Sequence, residues 1–444
     1  MESDVRAVPV PRARMWLEGL QARPGREAVA LGALGALVVC SLLVVLGLSA
    51  ARPPLAPYNV PGRPVWLGGP LADLVPGLGR APFVVLLVAM TALYLLVVAR
   101  ADALRARWVL GAVALLHVAY AAAPPLVQTD VFGYLMYGRL GVVHHLVPYL
   151  HVPNEVPGDV ARGYMGWPHF PSPYGPVFTL GSYALATVDL PLGVWLVKGI
   201  LGVAGLACVG LTWSCARRLG APPVPAAVFV GLNPLLVVWG VGAAHNDLLM
   251  LALMLAGLRM ALAERAALGA GLVVAAAAVK ASSGLVLPFM VLRGRGPVRV
   301  VAGAAAAVAL LGVAAVASFG ADGVGGYLAA LAAQQQLVSG HSVPNDLFRV
   351  VGADGMPDAL KPVFSALFAV GLVGLLVWAA RGADWITCAG WATLTLLLTM
   401  TFLMPWYLVW LLPLAALGRS RALQHATLGL MCFMVLTRGI VLLA

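Results

Sequence analysis

Long apolar runs recur along this chain from residue 28 onward, separated only by short segments that contain arginine, proline or glycine. Several runs reach about 20 residues, the length at which an α-helix crosses the roughly 30 Å hydrocarbon core of a bilayer. Of the 444 residues, 61% are hydrophobic and only 10% are charged, which is more apolar surface than a soluble domain of this size can bury. The pattern predicts an all-α polytopic membrane protein.

The basic residues predict how the chain crosses the membrane. A net charge of +11 is compatible with nucleic-acid binding, but the arginines lie in short loops between apolar runs, where they orient a membrane protein by the positive-inside rule. We therefore place the arginine-rich tail, 1–27, in the cytoplasm. Residues 28–444 then form one transmembrane domain of about 13 spans. In this topology 267–292 makes two short crossings that turn outside at Lys280, and 176–190 is an interfacial helix on the outer face.

Two long loops, 124–190 and 319–362, lie on the outer face in this topology. They hold most of the histidines and several aromatic residues, whereas the cytoplasmic loops are short and basic. Functional sites are commonly built on loops that a rigid framework holds. We therefore predict the site on the extracytoplasmic face of the plasma membrane. The five cysteines fall within apolar runs without metal-type spacing, and they are predicted to be core residues.

The segment TDVFGYLMYGRL, which begins at Thr129, is predicted to form a short helix just after a span. Helical spacing places Asp130, Tyr134 and Tyr137 on one face of it. Asp130 has two interpretations at this stage. It is a plain helix N-cap, or it is the catalytic acid of the site.

Two further polar features interrupt apolar runs. HNDLLM puts His245, Asn246 and Asp247 at the outer start of a span, and AAAAVKASSG puts Lys280 inside a run. Ionisable groups at such depth are costly and are often functional. The structural alternatives are a helix cap stabilised by the macrodipole for Asp247 and a lysine that snorkels to the interface for Lys280.

Aromatic and basic residues of three more outer segments complete the candidate set. These segments are WPHFPSPYGPVF at 167–178, QQQLVSGHSVPNDLFR at 334–349 and MPWYLVWLLPL at 404–414. Their rings suit a sugar or a lipid headgroup, or else form an ordinary interfacial belt, and their cations suit a phosphate. The side chains concerned are Trp167, His169, Tyr174, His341, Arg349, Trp406 and Tyr407.

From about residue 107 to its C-terminus, this chain resembles the polyprenyl-phosphate-mannose-dependent α-mannosyltransferases of actinobacteria, of the lipomannan and lipoarabinomannan type. The resemblance rests on the order of TDVFGYLMYGRL, PSPYGPVFTL, HNDLLMLALML, VKASSGLVLPF and MPWYLVWLLPL. It implies a GT-C glycosyltransferase fold with juxtamembrane helices on the outer face. It also implies a catalytic acid at Asp130, a second acid at Asp247 and a functional lysine at Lys280. Two departures are LVPYL at 146–150, where many relatives read N-P-Y, and a second helix before the acid loop, where many have one.

This resemblance implies an inverting transfer of mannose from a polyprenyl-phosphate-linked donor to a glycan or glycolipid acceptor. Asp130 is the expected general base, because the acceptor hydroxyl must lose its proton as it attacks. The departing phosphate needs positive charge, for which we predict Lys280, Arg349 and Lys198. The residues predicted to bind sugar or acceptor are His245, Asn246, Asp247, Tyr134, Tyr137, Trp167, His169, Tyr174, His341, Trp406 and Tyr407.

Other functions remain open at this stage. No cofactor is required if the chain's own cations hold the phosphate, although the acids and histidines could also bind a divalent metal ion. A lipid-linked sugar flippase or transporter also contains charged groups within its membrane region. An enzyme that uses another polyprenyl-phosphate sugar, such as arabinose or glucose, and a non-catalytic subunit are further alternatives. The grouping of polar residues on one face favours the enzyme, with donor lipid, acceptor and membrane lipid as its partners.

Overall fold

The structure is a computed structural model, and it describes residues 24–50, 64–72, 74–293 and 296–443. Every regular element within these ranges is helical, which confirms the predicted all-α class for this part of the chain. The predicted tail, 1–27, lies almost wholly outside the described residues. Its cytoplasmic location and the single domain at 28–444 stay predictions.

The first half of the described chain contains long apolar helices with two short helices between them. The long helices are α1 Pro24–Leu48, α2 Arg80–Val98, α3 Ala106–Ala122 and α6 Leu190–Arg218. The short ones are α4 Asp130–Val142 and α5 Pro176–Leu185. With 10 residues, α5 is about 15 Å long and too short to cross a bilayer. The length of α5 and its separation from α6 agree with the interfacial helix predicted at 176–190.

Residues 223–293 form short, interrupted helices where the sequence predicts longer spans. The predicted span 222–243 consists of α7, Pro223–Gly231, and a π-helical segment, Leu236–Gly242, bent by 64°. Pro234 lies at the bend, where it cannot donate a backbone hydrogen bond, and the Asn233 side chain accepts from the backbone N–H groups of Leu235 and Leu236. The elements that follow are α8 Asp247–Ala261, α9 Ala266–Ala277, a 3₁₀ helix Ala281–Val286 and α10 Leu287–Arg293.

Helix α11, Pro297–Gln336, corrects the loop that the sequence predicts at 319–362. The helix bends at Gly320, whose φ of 74° and ψ of 168° are readily adopted by glycine alone, and then continues for more than three turns. Alanine and glutamine favour helix in this second part, so the bend redirects the helix and does not end it. The rest of the predicted loop contains α12, Val343–Val350, and leads into α13, Lys361–Ala380.

The C-terminal part places a short, buried segment between two longer helices. Its elements are α14 Trp385–Thr399, a 3₁₀ helix Pro405–Trp410, α15 Leu412–Leu417 and α16 Arg421–Leu443. The side chains from Pro405 to Trp410 are all buried. The predicted span 405–418 is therefore two short pieces packed inside the protein.

Five of the described helices are long and apolar enough to cross a bilayer: α1, α2, α6, α11 and α13. A sixth span results if α7 and the π-helical segment count as one bent crossing. This count is consistent with a polytopic membrane protein, but the predicted number of about 13 spans is not confirmed. Helices such as α3, α9 and α14 have fewer than 18 residues, and neighbouring helices take the place of lipid around much of their surface.

Helices α8 and α9 pack closely, and this packing positions the site. A Cβ added to Gly257 of α8 or to Gly269 of α9 would lie 2.7 Å from a backbone oxygen of the partner helix. Small residues of this kind allow two helix backbones to approach in a membrane protein. Because the chain reverses between the two helices, Asp247, the first residue of α8, and Lys280, three residues after the end of α9, lie at the same end of the pair.

Candidate active site

A cavity of about 500 Å³ lies where the helix ends and loops that hold the predicted candidates meet. Its volume falls in the range of about 300–1,000 Å³ that is typical of small-molecule sites. One wall is polar and comes from α4, the segment before α8 and the 3₁₀ helix after Lys280. The opposite wall is largely apolar and comes from the C-terminal ends of α11 and α14 and the N-terminal end of α13. The cavity therefore combines polar groups with an apolar surface.

Asp130 is the first residue of α4, and its carboxylate faces this cavity. Its Oδ1 accepts a hydrogen bond from the Tyr174 hydroxyl at 3.3 Å, and its Oδ2 lies 3.5 Å from Nε2 of His245. Thr129 holds the N-cap position, and its side chain makes no capping hydrogen bond. The interpretation of Asp130 as a plain N-cap is therefore wrong, although the acid still lies at the positive end of the helix dipole.

The surroundings of Asp130 favour its charged form. Burial raises the pKa of the carboxyl, but His245, the Lys280 ammonium and the Tyr174 hydroxyl outweigh burial and hold the pKa below its ordinary value of 3.8. Burial and the Asp130 charge raise the pKa of Tyr174 well above 10.0. At neutral pH the site therefore pairs an ionised acid with a protonated tyrosine that donates to it.

His245 lies against the face of Trp406, with ring centroids 3.8 Å apart. Its Nδ1 is 2.6 Å from the carbonyl oxygen of Trp239. A carbonyl oxygen only accepts hydrogen bonds, so Nδ1 carries a proton and donates it to this carbonyl. Nε2 lies 3.5 Å from Oδ2 of Asp130, so a hydroxyl group that donates to this carboxylate oxygen also comes close to the imidazole.

Two tyrosines of α4 join this polar wall. Tyr134 accepts a hydrogen bond from the backbone N–H of Asn246 at 3.1 Å, and its ring meets the ring of Tyr174 edge to face. The Tyr137 hydroxyl donates to the carbonyl oxygen of Phe170 at 2.9 Å. The structure thus confirms the predicted shared face, since Asp130, Tyr134 and Tyr137 all line the cavity.

Lys280 and Asp247 form a buried ion pair beside the cavity. Nζ of Lys280 lies 2.8 and 2.9 Å from the two carboxylate oxygens, and the Trp410 indole N–H donates to Oδ1 at 2.5 Å. The ammonium also lies 4.8 Å from the centre of the Tyr407 ring. The Asp247 side chain has no exposed surface, whereas that of Lys280 is 20% exposed and reaches the cavity. Asp247 therefore acts on the site through its partners.

Backbone hydrogen bonds join the proline-rich loop to the segment before Lys280. Gly175 and Val177 donate their N–H groups to the carbonyl oxygens of Val279 and Ala278, both at 3.0 Å. These bonds place Tyr174 next to the lysine turn. Two motifs about 100 residues apart are therefore neighbours in the structure.

Strained backbone precedes both functional segments of the polar wall. Val127, three residues before Asp130, and Ala244, directly before His245, have φ values of 54° and 58°. Residues with a side chain rarely adopt this left-handed conformation, and Val127 is β-branched. The N–H of Leu126 donates to the carbonyl oxygen of Gly242 at 3.2 Å, so the two strained segments are also joined to each other.

The cavity collects most, but not all, of the predicted site residues. Trp167, Trp406 and Tyr407 line it together with Asp130, Tyr134, Tyr137, Tyr174, His245, Asn246 and Lys280, whereas the fully buried Asp247 does not. The exposed side chain of His169 lies outside the lining and contacts Asn154 instead. Lys198 is buried in α6, where its ammonium donates to the carbonyl oxygen of Gly242 at 2.7 Å. Its long side chain follows a buried helix face, which the sequence could not reveal.

Two other predicted residues belong to a separate surface cluster. Nδ1 of His341 and the Arg349 guanidinium both contact the Asp346 carboxylate, at 2.9 and 3.0 Å. Neither residue lines the cavity. The amphipathic α12 explains this placement, because its polar side pairs its own charges at the protein surface.

The residues of the apolar wall and the polar groups at its edge were not predicted as site residues. The C-terminal end of α11 and Lys361 lie in the predicted loop 319–362. Helices α13 and α14 correspond to predicted spans, and nothing in a run of apolar letters distinguishes a side that faces a cavity from one that faces lipid. Trp410 was hidden in the same way. The missed cavity residues with the clearest chemistry are Leu331, Gln334, Gln335, Lys361, Phe364, Phe368 and Trp410.

A second charged cluster stabilises the loop that carries Trp167. The Asp159 side chain is fully buried, and its oxygens lie 2.9 Å from Nε of Arg139 and 2.7 Å from Nε2 of His144. The backbone N–H of Ala161 adds a third hydrogen bond at 2.9 Å. Arg139 belongs to α4, so this cluster fastens the loop to the helix that begins at Asp130.

We expect Asp159→Asn to destabilise the protein by about 3 kcal/mol at neutral pH, because Arg139 would lose its buried counter-ion. Burial raises the pKa of Asp159, but Arg139, the Ala161 N–H and His144 hold it below 3.8. A carboxyl group whose pKa is lower in the folded than in the unfolded protein stabilises the fold fully above its unfolded-state pKa. This contribution is lost as the pH falls through its folded-state pKa. Thermal unfolding in detergent from pH 7 to pH 3 measures this. The difference in unfolding temperature between wild type and variant should disappear only below about pH 4. A difference that is constant with pH would contradict the stabilising role of the ionised Asp159.

Among the described residues, no group of three or more histidine, cysteine, aspartate or glutamate side chains is arranged to hold a metal ion. Asp130 and His245 are close together. The Asp247 carboxylate instead pairs with the Lys280 ammonium and accepts a hydrogen bond from Trp410. The expectation that the reaction needs no cofactor stays a prediction.

The fold and cavity define a helical membrane protein whose binding site has one polar and one apolar wall. The chain belongs to the alpha-(1->6)-mannopyranosyltransferase family, because the family profile for the N-terminal domain matches residues 29–294. This range contains Asp130, His245 and Lys280. The membership confirms the predicted resemblance to the actinobacterial α-mannosyltransferases. No solved structure matches the fold, so the GT-C architecture stays a prediction.

Individual relatives carry the same name. The chain is 30% identical to alpha-(1->6)-mannopyranosyltransferase A of Mycobacterium tuberculosis over 338 residues, which are 69% of this chain and 64% of that protein. It is 33% identical to alpha-(1->6)-mannopyranosyltransferase A of Corynebacterium glutamicum over 177 residues, 38% of this chain and 35% of the relative. The chain thus spans less than two thirds of the length of these curated relatives.

Proposed function

We propose that this protein is a membrane mannosyltransferase. It takes mannose from a polyprenyl-phosphate-linked donor and transfers it to a hydroxyl of a glycan or glycolipid acceptor, with inversion at the anomeric carbon. The reaction takes place on the extracytoplasmic face, where the arginine pattern places the loops of the site. The names of the relatives supply the sugar and the reaction class.

One observation carries the proposal. In the part of the chain that the structure describes, six buried side-chain nitrogen and oxygen atoms make no hydrogen bond, and five of them belong to residues that line this cavity. Buried polar atoms are normally paired, because an unpaired one costs about 1–3 kcal/mol. A ligand rich in hydroxyl groups would satisfy them. The atoms are Oδ2 of Asp130, Nε2 of His245, Nδ2 and Oδ1 of Asn246 and Oγ of Ser282.

Asp130 is the general base of the proposed mechanism. The acceptor hydroxyl donates a hydrogen bond to Oδ2 of Asp130 beside the His245 imidazole, and Asp130 removes its proton as the oxygen attacks the anomeric carbon. The carbon–phosphate oxygen bond breaks on the opposite side, and the polyprenyl phosphate leaves with the bonding electron pair. Tyr174 keeps the carboxylate oriented through its hydrogen bond to Oδ1. A single displacement of this kind converts a β-linked donor into an α-linked product.

The rest of the polar wall orients the sugar and stabilises charge. Asn246 and Ser282 offer unpaired donors and acceptors to hydroxyl groups. Trp406 and Tyr407 offer aromatic surface to the sugar ring. Lys280 adds positive potential near the reacting centre, although Asp247 already balances its charge. Lys198, His169, His341 and Arg349 have no part in this scheme, because they do not line the cavity.

The apolar wall suits the lipid part of the donor. Only 11% of the most apolar part of α11 and 6% of that of α13 is buried inside the protein, so both helices mainly face lipid. Phe364 and Phe368 of α13 and Leu331 of α11 nevertheless also line the cavity. A prenyl chain therefore has a continuous apolar route between the bilayer and the polar wall.

The test is transfer by the purified protein in lipid nanodiscs. Radiolabelled polyprenyl-phosphate-mannose and a mannoside acceptor should give labelled, α-linked product, and the reaction should continue in the presence of EDTA. Polyprenyl-phosphate arabinose and glucose serve as comparison donors. Movement of the lipid across a vesicle bilayer without sugar transfer would instead show a flippase and overturn the proposal.

A further inference from the structure

The chain contains 28 basic residues, and only three of them are lysines: Lys198, Lys280 and Lys361. Two of these, Lys280 and Lys361, line the cavity, and no arginine of the described residues does. A departing phosphate needs a cation in or near this cavity. The choice is therefore between these two lysines.

The two cavity lysines differ in how far their charge is already balanced. Lys280 faces a carboxylate with no exposed surface, at 2.8 Å, and this buried pair satisfies the ammonium before any ligand arrives. Lys361 contacts Asp358 at 2.9 Å, but the Asp358 side chain is 83% exposed. Water screens such a carboxylate, so it balances the lysine weakly. Lys361 thus keeps more of its positive charge available to a ligand.

The position of Lys361 fits an anion that ends an apolar chain. It is the first residue of α13, and its ammonium donates to the carbonyl oxygen of Gln336, the last residue of α11, at 2.8 Å. The ammonium therefore bridges the two helices that form the apolar wall. Gln334 and Gln335 line the cavity beside it, and Phe364 lies about one helical turn further along α13.

Little else joins α11 and α13. Helix α11 packs mainly on α9 and α10, whereas α13 packs on α10 and α14. We call the boundary between α11 and α13 the seam; both of its sides are apolar and face lipid. The hydrogen bond from Lys361 to Gln336 lies at its end. A chain that enters along this seam would bring its terminal phosphate to the lysine.

We propose that Lys361 binds the phosphate of the polyprenyl-phosphate donor and that the seam between α11 and α13 receives its prenyl chain. This inference rests on the proposed function and replaces Arg349 and Lys198 as phosphate ligands. Lys361 exchanges its bond to Gln336 for the phosphate when the donor binds. Lys280 stays paired with Asp247 and acts on the reacting centre only through its field.

Steady-state kinetics with Lys361→Met, which keeps the length of the side chain and removes its charge, test the inference. We expect the KM for polyprenyl-phosphate-mannose to rise about 10–100-fold, the loss expected for one charge-assisted hydrogen bond, and kcat to fall as well, because the departing phosphate loses its cation. Lys361→Arg should restore most of the affinity, because the charge returns. Asp354→Asn, on the exposed loop before α13, is the matched control and should leave both constants unchanged. An unchanged donor KM in Lys361→Met, or an increase with Arg349→Ala instead, would overturn the proposal.

Lysine labelling tests the same contact without any sugar transfer. An amine-reactive reagent followed by mass spectrometry reads each of the three lysines, and the fully buried Lys198 is the internal reference. Sugar-free polyprenyl phosphate should protect Lys361, whereas the corresponding polyprenol and inorganic phosphate should not. Equal protection by phosphatidylglycerol would show an ordinary lipid-headgroup contact and refute a donor site. If the wild-type protein transfers no mannose, the proposed function fails, but this labelling pattern still decides the role of Lys361.

Discussion

Replacing Asp130 with asparagine is expected to lower kcat about 10²–10⁴-fold while the protein keeps its fold, because general-base catalysis contributes a factor of this size and Asp130 is the only carboxylate among the described residues that line the cavity. Asparagine has nearly the same shape and still accepts the hydrogen bond from Tyr174 at one oxygen. It cannot remove a proton. The measurement is mannose transfer under saturating donor and acceptor, with thermal unfolding in detergent to confirm that the variant is folded.

Glu155→Gln provides the matched control for this change. Glu155 lies in the loop that follows α4, its side chain is 44% exposed, and it contacts His151 outside the cavity. Its loss should leave transfer within about twofold of wild type, as expected for a surface substitution.

Because the pKa of Asp130 is below 3.8, the wild-type rate should also show no loss from this group down to about pH 4. Near-normal activity of Asp130→Asn would remove Asp130 from the mechanism.

Breaking the Lys280–Asp247 pair is expected to have the largest effect on stability. Lys280→Met would leave the Asp247 carboxylate buried with only the Trp410 N–H as a hydrogen-bond donor from a side chain. Removing one partner of such a buried pair costs about 3–5 kcal/mol. Thermal and chemical unfolding of the detergent-solubilised protein should show the loss, and transfer should fall as the site loses its positive potential.

The double variant Lys280→Met with Asp247→Asn separates stability from chemistry. With both charges gone, most of the stability should return, because no unpaired charge remains buried. Transfer should stay low, since the field of the lysine near the departing phosphate is still missing. If the stability losses of Lys280→Met and Asp247→Asn alone sum to the loss of the double variant, the two residues do not act as a pair.

Much of the polar wall could be predicted because its determinants are local. Helical spacing alone placed Asp130, Tyr134 and Tyr137 on one face, and the polar run at His245 stood out because it interrupts an apolar sequence. Lys280 was recognisable for the same reason. Each of these signals depends on a polar residue where the membrane disfavours one.

The remaining features depend on packing between distant parts of the chain. Lys361 follows an ordinary loop and begins an ordinary apolar helix, so only the approach of α11 shows that it borders the cavity. The break at Pro234 interrupts a run whose composition predicts one continuous span, whereas α11 continues past the bend at Gly320, where the sequence predicts a loop. Charge alone predicts Arg349 and Lys198 as phosphate ligands. The sequence does not show that Arg349 belongs to a surface cluster on α12 or that Lys198 lies on the buried side of α6.

The seam between α11 and α13 has a consequence for how the protein responds to its bilayer. Only 11% of the most apolar part of α11 and 6% of that of α13 is buried inside the protein, and yet both helices line the cavity. A change in membrane thickness alters the tilt of lipid-facing helices at a cost of fractions of a kcal/mol per Å. The bend at Gly320 gives α11 a point at which such a tilt can be absorbed. Under the donor binding proposed for this seam, the width of the path depends partly on the surrounding lipid, so the thickness of the host membrane should tune donor entry more than it alters the polar wall around Asp130.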